Sequence, residues 1–440
     1  MLRIIIFFLV FFCSFNFFAQ KNYSYAEIDS ASYLQCINND FKAIKTTLEN
    51  AEKEQIEFYY LYLRAGIVAF NHKSYEFALK QFKRAQLMNP ADSDLQLFLY
   101  LSLLNTNRFE DAREFGSKLP DSIQKKYSIN LNDQFALSVG IITTLNTNVS
   151  SNQDVDYINP DKKGADVILN GNVYGTNVQF QINRKFRTYL YQKFSLFQTN
   201  SMAIEQIEFA NQRYESSYTN LHFQYNIGLA KTFKNGLTIG TGFGYFKTNF
   251  SHLNVDFDAN GIASFKDTLI DYDNISVAGT IGQRIGRFQP ILNFHYNNLY
   301  GLNQFQVEGM VNYFPFGNPN FYGSSAFSYS ISDSSNQYVF SQKIGVKCNN
   351  WLSIVGKYSV GNHYNYMSNL GFISYNTADK IISAIGLDFH LFYKKMEFIL
   401  GYSYQTREAH YTVYPTISTS ELNSYNYKSN NLITTVKWNF

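Results

Sequence analysis

Hydrophobic and polar residues alternate along the chain from about residue 132 to its last residue, Phe440. The final nine residues show the pattern most clearly, because every second residue from Leu432 to Phe440 falls on one largely apolar face that ends in Trp438 and Phe440. Successive side chains of an extended strand point to opposite faces, so this segment is predicted to be a β-strand. Similar alternation predicts fourteen strands, at 133–146, 165–183, 186–199, 214–231, 236–250, 272–285, 287–300, 303–314, 320–332, 336–348, 351–361, 379–393, 396–407 and 429–440.

The lengths of these strands and of their connections indicate a transmembrane barrel. Each predicted strand reaches the roughly 9–11 residues that a tilted strand needs to cross a bilayer. Connections after even-numbered strands are short, whereas most of those after odd-numbered strands are long: 147–164, 200–213, 251–271, 362–378 and 408–428. Short periplasmic turns and long outer loops are typical of bacterial outer-membrane barrels. Because lipid offers no hydrogen-bond partner, we expect the strand of Phe440 to close on the strand near Phe135.

Residues 22–127 carry helical rather than alternating patterns. The unit at 59–90 has small and aromatic residues at the spacing of a 34-residue tetratricopeptide (TPR) repeat: Gly66, Tyr75, Ala78, Phe82, Ala85 and Pro90. Phe41, Tyr75 and Phe109 are also spaced by 34 residues, which predicts further, degraded repeats at 22–55 and 93–118. Three such units are close to the minimum for a stable stack. A helical hairpin bundle without repeat character is the alternative.

The N-terminus has the layout of an export signal. Arg3 precedes an apolar run from Ile4 to Cys13, and a short stretch then leads to Ala19, so we predict a signal peptide at 1–19. After residue 19 the chain contains no run of 18 apolar residues, so no transmembrane helix is predicted. Aromatic residues make up 18% of the chain and charged residues only 16%, as suits an exported membrane barrel. The net charge of +3 argues neither for nor against a nucleic-acid partner, and none is expected.

Catalytic motifs are absent from the sequence. It contains no nucleophile-elbow serine, zinc-binding HExxH, P-loop or dinucleotide-binding GxGxxG, so we predict that the protein is not an enzyme. Asp388 and His390 share a strand face, but no candidate serine accompanies them as a triad would require. The residues predicted to face the lumen suggest either a slightly basic selective pore or simply a solvated interior: Lys193, His222, His295, Glu308, Lys343, Lys347, Lys357, Asp388, His390, Glu397 and Lys437.

Two further patterns concern packing and metal binding. Glycines alternate between Gly236 and Gly244, which places them on the inner face and predicts close packing against something in the lumen. Asp256, Asp258, Asn260 and Asp267 match the spacing of an EF-hand-type calcium loop, although no flanking helices are predicted and Asp267 stands where glutamate is usual. The alternative is that residues 259–261 form the turn of a β-hairpin.

Cysteines supply no disulfide framework. Cys13 belongs to the predicted signal peptide, which leaves Cys36 in the helical region and Cys348 at the predicted periplasmic rim of the barrel. The two could pair or remain as free thiols.

The combined layout resembles the surface lipoprotein assembly modulators, and it is similar to repeat-containing exopolysaccharide exporters and to YaiO-type barrels. The expected organisation is a multidomain chain: a signal peptide at 1–19, a short α-helical TPR-like periplasmic domain at 20–128, and an antiparallel transmembrane β-barrel of about 14 strands at 129–440. The domain and the C-terminus would both be periplasmic. No motif singles out one of these families.

The resemblance implies export or assembly of a client, either a surface protein or a polysaccharide, across the outer membrane. Its expected partners are outer-membrane lipid, a periplasmic protein client bound by the TPR-like domain, and the barrel-insertion machinery. A passive porin-like or binding barrel, anchored to other envelope proteins by its repeats, remains the alternative. No cofactor is expected apart from the possible Ca²⁺.

Overall fold

A computed structural model of the chain describes residues 23–106, 108–127, 129, 134–147, 164–184, 187–207, 212–233, 236–257, 263–332, 336–374, 379–416 and 419–440. The predicted signal peptide lies outside these residues. Two compact units divide the chain: a helical unit that ends at Lys126, and a β-barrel unit that ends at Phe440. The fold therefore has the predicted order, with helices followed by an antiparallel barrel.

The helical unit contains seven helices within its described residues: α1 (Tyr25–Ile37), α2 (Phe41–Lys53), α3 (Tyr59–Asn71), α4 (Tyr75–Met88), α5 (Ser93–Asn105), α6 (Phe109–Gly116) and α7 (Asp121–Lys126). Side chains that accept from backbone N–H groups cap several of them. Ser24 and Glu27 form a reciprocal capping box before α1, and Asp92 accepts from two N–H groups at the start of α5. No helix of the described chain is long and apolar enough to span a membrane.

The first six helices form three pairs whose local geometry repeats. Both the first and the second helix of a pair begin 34 residues after their counterparts in the preceding pair. The turn inside each pair is closed by one equivalent backbone hydrogen bond of 2.8–2.9 Å, donated by Asp40 to Gln35, by Ser74 to Ala69 and by Arg108 to Leu103. The 34-residue aromatic spacing thus marks three structurally similar hairpins. Their membership of the TPR family stays a prediction.

Close packing between α3 and α4 depends on a glycine. A Cβ atom at Gly66 would lie 2.4 Å from Cε1 of Phe82, so the Phe82 ring occupies the space that any side chain would need. Phe82 is fully buried, and its ring stacks on Phe98 of α5 at a centroid distance of 5.3 Å. This glycine therefore brings successive helix pairs into one apolar core.

The barrel unit has fourteen strands in one closed antiparallel sheet. Eleven precede a short inner hairpin, which is formed by β12 (Met367–Ser368) and β13 (Ile373–Ser374), and three follow it. The barrel strands are β1 (Gln134–Asn146), β2 (Gly164–Arg184), β3 (Thr188–Ile207), β4 (Gln212–Thr232), β5 (Leu237–Phe257), β6 (Ala263–Gln283), β7 (Phe288–Asn297), β8 (Gln304–Tyr313), β9 (Phe321–Ser332), β10 (Asn336–Lys347), β11 (Leu352–Gly361), β14 (Lys380–Tyr393), β15 (Met396–Thr416) and β16 (Thr419–Asn439).

The last strand closes the barrel as predicted. β16 pairs with β1 from Ala136 opposite Asn439 to Asn146 opposite Ser429, and the Phe440 N–H donates to the Phe135 carbonyl at 2.8 Å. Leu432, Trp438 and Phe440 are about half exposed on the outer face, where they would meet lipid. We call this end of the barrel, which holds Phe440, the terminal end, and the opposite end the far end.

Several strands extend beyond the predicted boundaries at the far end. The predicted connections 200–213, 251–271 and 408–428 were too long, because β3–β4, β5–β6 and β15–β16 continue as paired hairpins through most of these residues. These strands have 20 or 21 residues, about twice the length needed to cross lipid. The boundaries predicted from a lipid-facing pattern therefore fall short of the paired strands.

The outer parts of β2 and β15 also pair with each other. Val167 lies opposite Tyr411 and Ala165 opposite Val413, in addition to the regular barrel pairings of both strands. Apolar side chains form a small cluster on one face of this far-end sheet: Val167, Leu169 and Ile204, with Met202, Tyr411 and Tyr425 packed against them. The far end therefore has a hydrophobic core of its own above the membrane-crossing part of the barrel.

A carboxyl pair lies on the far-end sheet. Asp166 of β2 is directly opposite Glu205 of β3. Burial, together with the charge of Asp166 and a hydrogen bond to it, raises the pKa of Glu205 to about 8. Because two adjacent carboxylates repel each other in a partly buried site, this pair favours a shared proton.

We predict that the far-end sheet loosens as pH rises. Folding raises the pKa of Glu205 above its ordinary value of 4.5, so the stabilisation by its protonated form is complete below about pH 4.5 and is lost as pH rises through about 8. Hydrogen exchange of residues 164–170 and 201–207, corrected for the intrinsic pH effect, should be faster at pH 9 than at pH 5. Glu205→Gln should remove most of this difference. Glu215→Gln, an exposed position on β4, should retain it; equal behaviour of both variants would contradict the prediction.

Candidate functional site: the barrel lumen

Residues 362–374, here called the lumenal segment, leave the far end of β11 and fold into the barrel. The sequence predicted an outer loop at 362–378, and this is wrong for the described residues because the segment contacts inner faces of the wall. It contains β12 and β13, paired with each other, around a 3-10 turn at Asn369–Gly371. Its contacts reach strands from β3 to β8, so it lies against wall strands opposite its own point of attachment.

The lumenal segment is anchored at its start, and the chain is anchored again at Asp379. Its first turn is held by His363, whose backbone N–H and ring Nδ1–H both donate to the Ile381 carbonyl of β14, at 3.1 and 2.9 Å. Asp379, just before β14, accepts from Tyr427 at 2.7 Å and from Asn170 at 2.8 Å. These contacts fix where the chain enters the lumen and where β14 begins.

Wall side chains bind the main chain of the segment. The Gln306 amide of β8 makes two hydrogen bonds to Met367, because it donates to the carbonyl at 2.6 Å and accepts from the N–H at 3.0 Å. Asn226 of β4 donates to the Gly371 carbonyl at 3.0 Å, and Lys193 of β3 donates to the Phe372 carbonyl at 2.9 Å. Three strands thus hold one short stretch of backbone.

A buried carboxylate adds one side-chain contact. Glu308 of β8 accepts from the Tyr366 hydroxyl at 2.5 Å through one oxygen and from Asn293 of β7 at 2.8 Å through the other. Glu308 is 3% exposed, so these bonds replace the water that a charged carboxylate would otherwise require. Lys193, His295 and Glu308 point inward as predicted.

Glycines of β4 and β5 allow the segment to approach the wall. A Cβ atom at Gly242 would lie 2.3 Å from the Leu370 carbonyl oxygen, and one at Gly228 would lie 2.7 Å from the Phe372 ring. The sequence predicted that the inward glycines between Gly236 and Gly244 pack against something in the lumen, and for Gly242 that partner is the segment. Leu370 itself has φ of +57°, a left-handed conformation that branched side chains disfavour.

Apolar contacts complete the packing. The fully buried side chains Phe246, Leu299 and Met367 form one cluster between β5, the turn after β7 and the segment. The Met367 side chain therefore packs against Phe246 and Leu299, while its backbone is held by Gln306.

Ion pairs line the lumen nearer the terminal end. Lys357 Nζ lies 2.6 Å from Asp388, His390 Nδ1 lies 2.7 Å from Glu397, and Lys437 Nζ lies 3.9 Å from the same Glu397. Asp388 and His390 are therefore each held by a different partner, which is not the arrangement of a catalytic dyad. Mutual pairing also offsets much of the positive charge that a basic pore would present.

The candidate calcium residues lie in the β5–β6 hairpin. Strand pairing continues to Phe257 opposite Ala263, with Asp256 opposite Ser264 and Asp267 opposite Leu253. The Ser216 hydroxyl donates to Asp267 at 3.3 Å. Asp258 and Asn260 lie outside the described residues, so calcium binding stays a prediction; the pairing on either side follows the hairpin alternative. Within the described residues, no three His, Cys, Asp or Glu side chains lie close enough together to hold a metal ion.

Cys36 and Cys348 are each a free cysteine in the structure.

Sequence reasoning missed the residues that bind the lumenal segment. Gln306 and Asn226 look like any other inward polar residues, and their partners are 61 and 145 residues away along the chain. One signal was available: residues 362–378 contain no Asp, Glu, Lys or Arg, whereas each of the other four long connections contains several. An uncharged loop with several aromatic residues favours an interior position.

Comparisons with known proteins find similar barrels among solved structures. The toluene transporter TodX of P. putida is 10% identical, with 70% of this chain and 90% of that chain covered and a TM-score of 0.41. A FadL homologue of Pseudomonas aeruginosa is 8% identical, with 70% and 89% covered and a TM-score of 0.40. The translocator domain of the autotransporter NalP from Neisseria meningitidis is 8% identical, with 77% and 99% covered and a TM-score of 0.31. No substrate or mechanism follows from likenesses this distant.

No protein-family model matches the sequence, and no curated protein matches it.

We predict that Gly242→Ala displaces the lumenal segment. The new methyl group would meet a backbone oxygen, which cannot rotate away, so the segment must move at a cost of about 1–3 kcal/mol. Hydrogen exchange of residues 362–374 should accelerate about 5- to 150-fold. Gly279→Ala, in the adjoining strand with no atom within 4 Å of its Cβ position, is the matched control and should leave this exchange unchanged. Unchanged exchange in Gly242→Ala would disprove the close contact.

Proposed function

We propose that the protein is a gated outer-membrane barrel that exports or assembles a client, with its helical unit capturing the client in the periplasm. The observation that carries this proposal is the lumenal segment, a stretch of chain bound inside the barrel by hydrogen bonds rather than forming part of its wall. A segment held in this way can be displaced without breaking the barrel's own ladder of hydrogen bonds. In this proposal the helical unit and both chain ends are periplasmic, and the far end faces outside.

The helical unit offers a surface suited to client capture. Tyr33 of α1 and Tyr60 of α3 are 54% and 58% exposed, on the first helices of neighbouring pairs. The Arg64 guanidinium lies 5.3 Å from the first ring and 5.4 Å from the second, and it also contacts Asp29 at 2.6 Å. Tyrosine and arginine are enriched among residues that dominate protein–protein binding. The three helix pairs would act as TPR-like repeats in this role.

A passive barrel is the second candidate. The paired charges at Lys357, Asp388, His390 and Glu397 are compatible with a solvated passage along another part of the lumen. In that case the helical unit would serve only to anchor the barrel to other envelope proteins.

Client capture predicts loss of surface display when the aromatic surface is removed. Cells carrying Tyr33→Ala with Tyr60→Ala should lose most of the client from the cell surface, as should cells that lack residues 22–127, as measured by surface proteomics and by staining of surface glycan. Leu87→Ala, at an 87% exposed position of α4, is the control and should leave display unchanged. Unaltered surface protein and glycan in the deletion strain, with the barrel still inserted, would exclude client capture and favour the passive barrel.

A further inference from the structure

The wall of the lumen recognises the backbone of the segment more than its side chains. Gln306 satisfies both the N–H and the carbonyl of Met367, as a neighbouring strand would. Asn226 and Lys193 donate to the carbonyls of Gly371 and Phe372. Side chains of the segment supply fewer bonds than its backbone: Tyr366 donates to Glu308, Asn365 to the Leu299 carbonyl, and the His363 ring to the Ile381 carbonyl.

Backbone groups are common to all polypeptides. A primary amide that both donates and accepts matches the paired N–H and carbonyl of an extended residue, whereas a neutral glucan presents hydroxyl groups and no amide. The binding groups are spread over β3, β4 and β8, and the glycines at 228 and 242 leave space beside them for a main chain to pass close to the wall. The apolar site formed by Phe246 and Leu299 accepts one apolar side chain between these contacts.

We propose that this strip of wall, here called the backbone track, is a binding site for an extended segment of a client polypeptide, and that the lumenal segment occupies it as an internal substitute. This inference rests on the proposed export function and selects a polypeptide over a polysaccharide as the client. The favoured ligand is an uncharged stretch with one apolar residue at the place of Met367.

Backbone strain and short strand pairing favour displacement of the lumenal segment. Leu370 has φ of 57°, a left-handed conformation that is strained for a branched side chain. The segment's own paired strands, β12 and β13, have only two residues each. A client strand that binds in relaxed, extended geometry avoids this strain, and the tethered segment returns when the client leaves.

Binding of a labelled peptide to the purified full-length protein tests the track. Residues 364–373 are replaced by a Gly/Ser stretch of equal length, and a synthetic peptide of sequence 362–374 is the probe, with fluorescence anisotropy as the readout. The peptide should bind this variant at least about tenfold more tightly than the unmodified protein, in which the track is occupied. Neutral dextran of similar size should not compete.

Substitutions in the track then separate specific from general binding. Gln306→Ala in the Gly/Ser variant should weaken binding of the peptide about tenfold, since two hydrogen bonds are lost. Asn431→Ala is the matched control. Asn431 is also an inward amide, on β16, but the hydrogen bond described for its side chain is to Ser403 of the wall and not to the segment. Equal effects of the two substitutions, or competition by dextran as strong as by unlabelled peptide, would overturn the proposal.

A second measurement applies if the Gly/Ser variant does not fold. In Gly242→Ala, excess peptide should further accelerate hydrogen exchange of residues 362–374, and dextran should not; no acceleration by peptide would also overturn the proposal. These outcomes are independent of client capture. If cells lacking residues 22–127 lose surface display but the peptide does not bind, the export proposal would be supported and the backbone track would be excluded.

Discussion

Closure of β1 onto β16 is the constraint on which the barrel depends. Every backbone N–H and carbonyl at membrane depth needs a partner within the protein, because lipid supplies none. The eleven register pairs from Ala136–Asn439 to Asn146–Ser429 supply these partners at the seam, and Phe440 adds one more bond. Strand alternation then follows, with apolar side chains outside and polar or small side chains inside.

Closure also creates an interior whose polar wall must be satisfied. The lumenal segment meets part of this need, since Gln306, Asn226 and Lys193 bond to its main chain and Glu308 bonds to Tyr366. Glycine at 242 and 228 lets the segment approach closely enough for those bonds to form. The same contacts that stabilise the interior therefore hold this segment inside the lumen.

The strands and their faces could be predicted because lipid imposes a simple rule on them. Trp438 and Leu432 had to be outside, and the inward glycines had to face something close by. The far-end extensions of β5 and β6 were predicted only as the hairpin alternative around residues 259–261, because the pattern there also matched a calcium loop. The partners of Gln306 could not be predicted, because an inward polar residue does not indicate which distant part of the backbone it will bind. The lack of charge across 362–378 was the one available indication.

Single-channel recording in planar bilayers tests the central claim most directly, namely that residues 362–374 gate the lumen. The full-length protein should remain closed or nearly so in the absence of a client, and replacement of 364–373 by a Gly/Ser stretch should produce a steady conductance. A steady, equally large conductance in both proteins would contradict a gate formed by this segment and would favour a passive barrel.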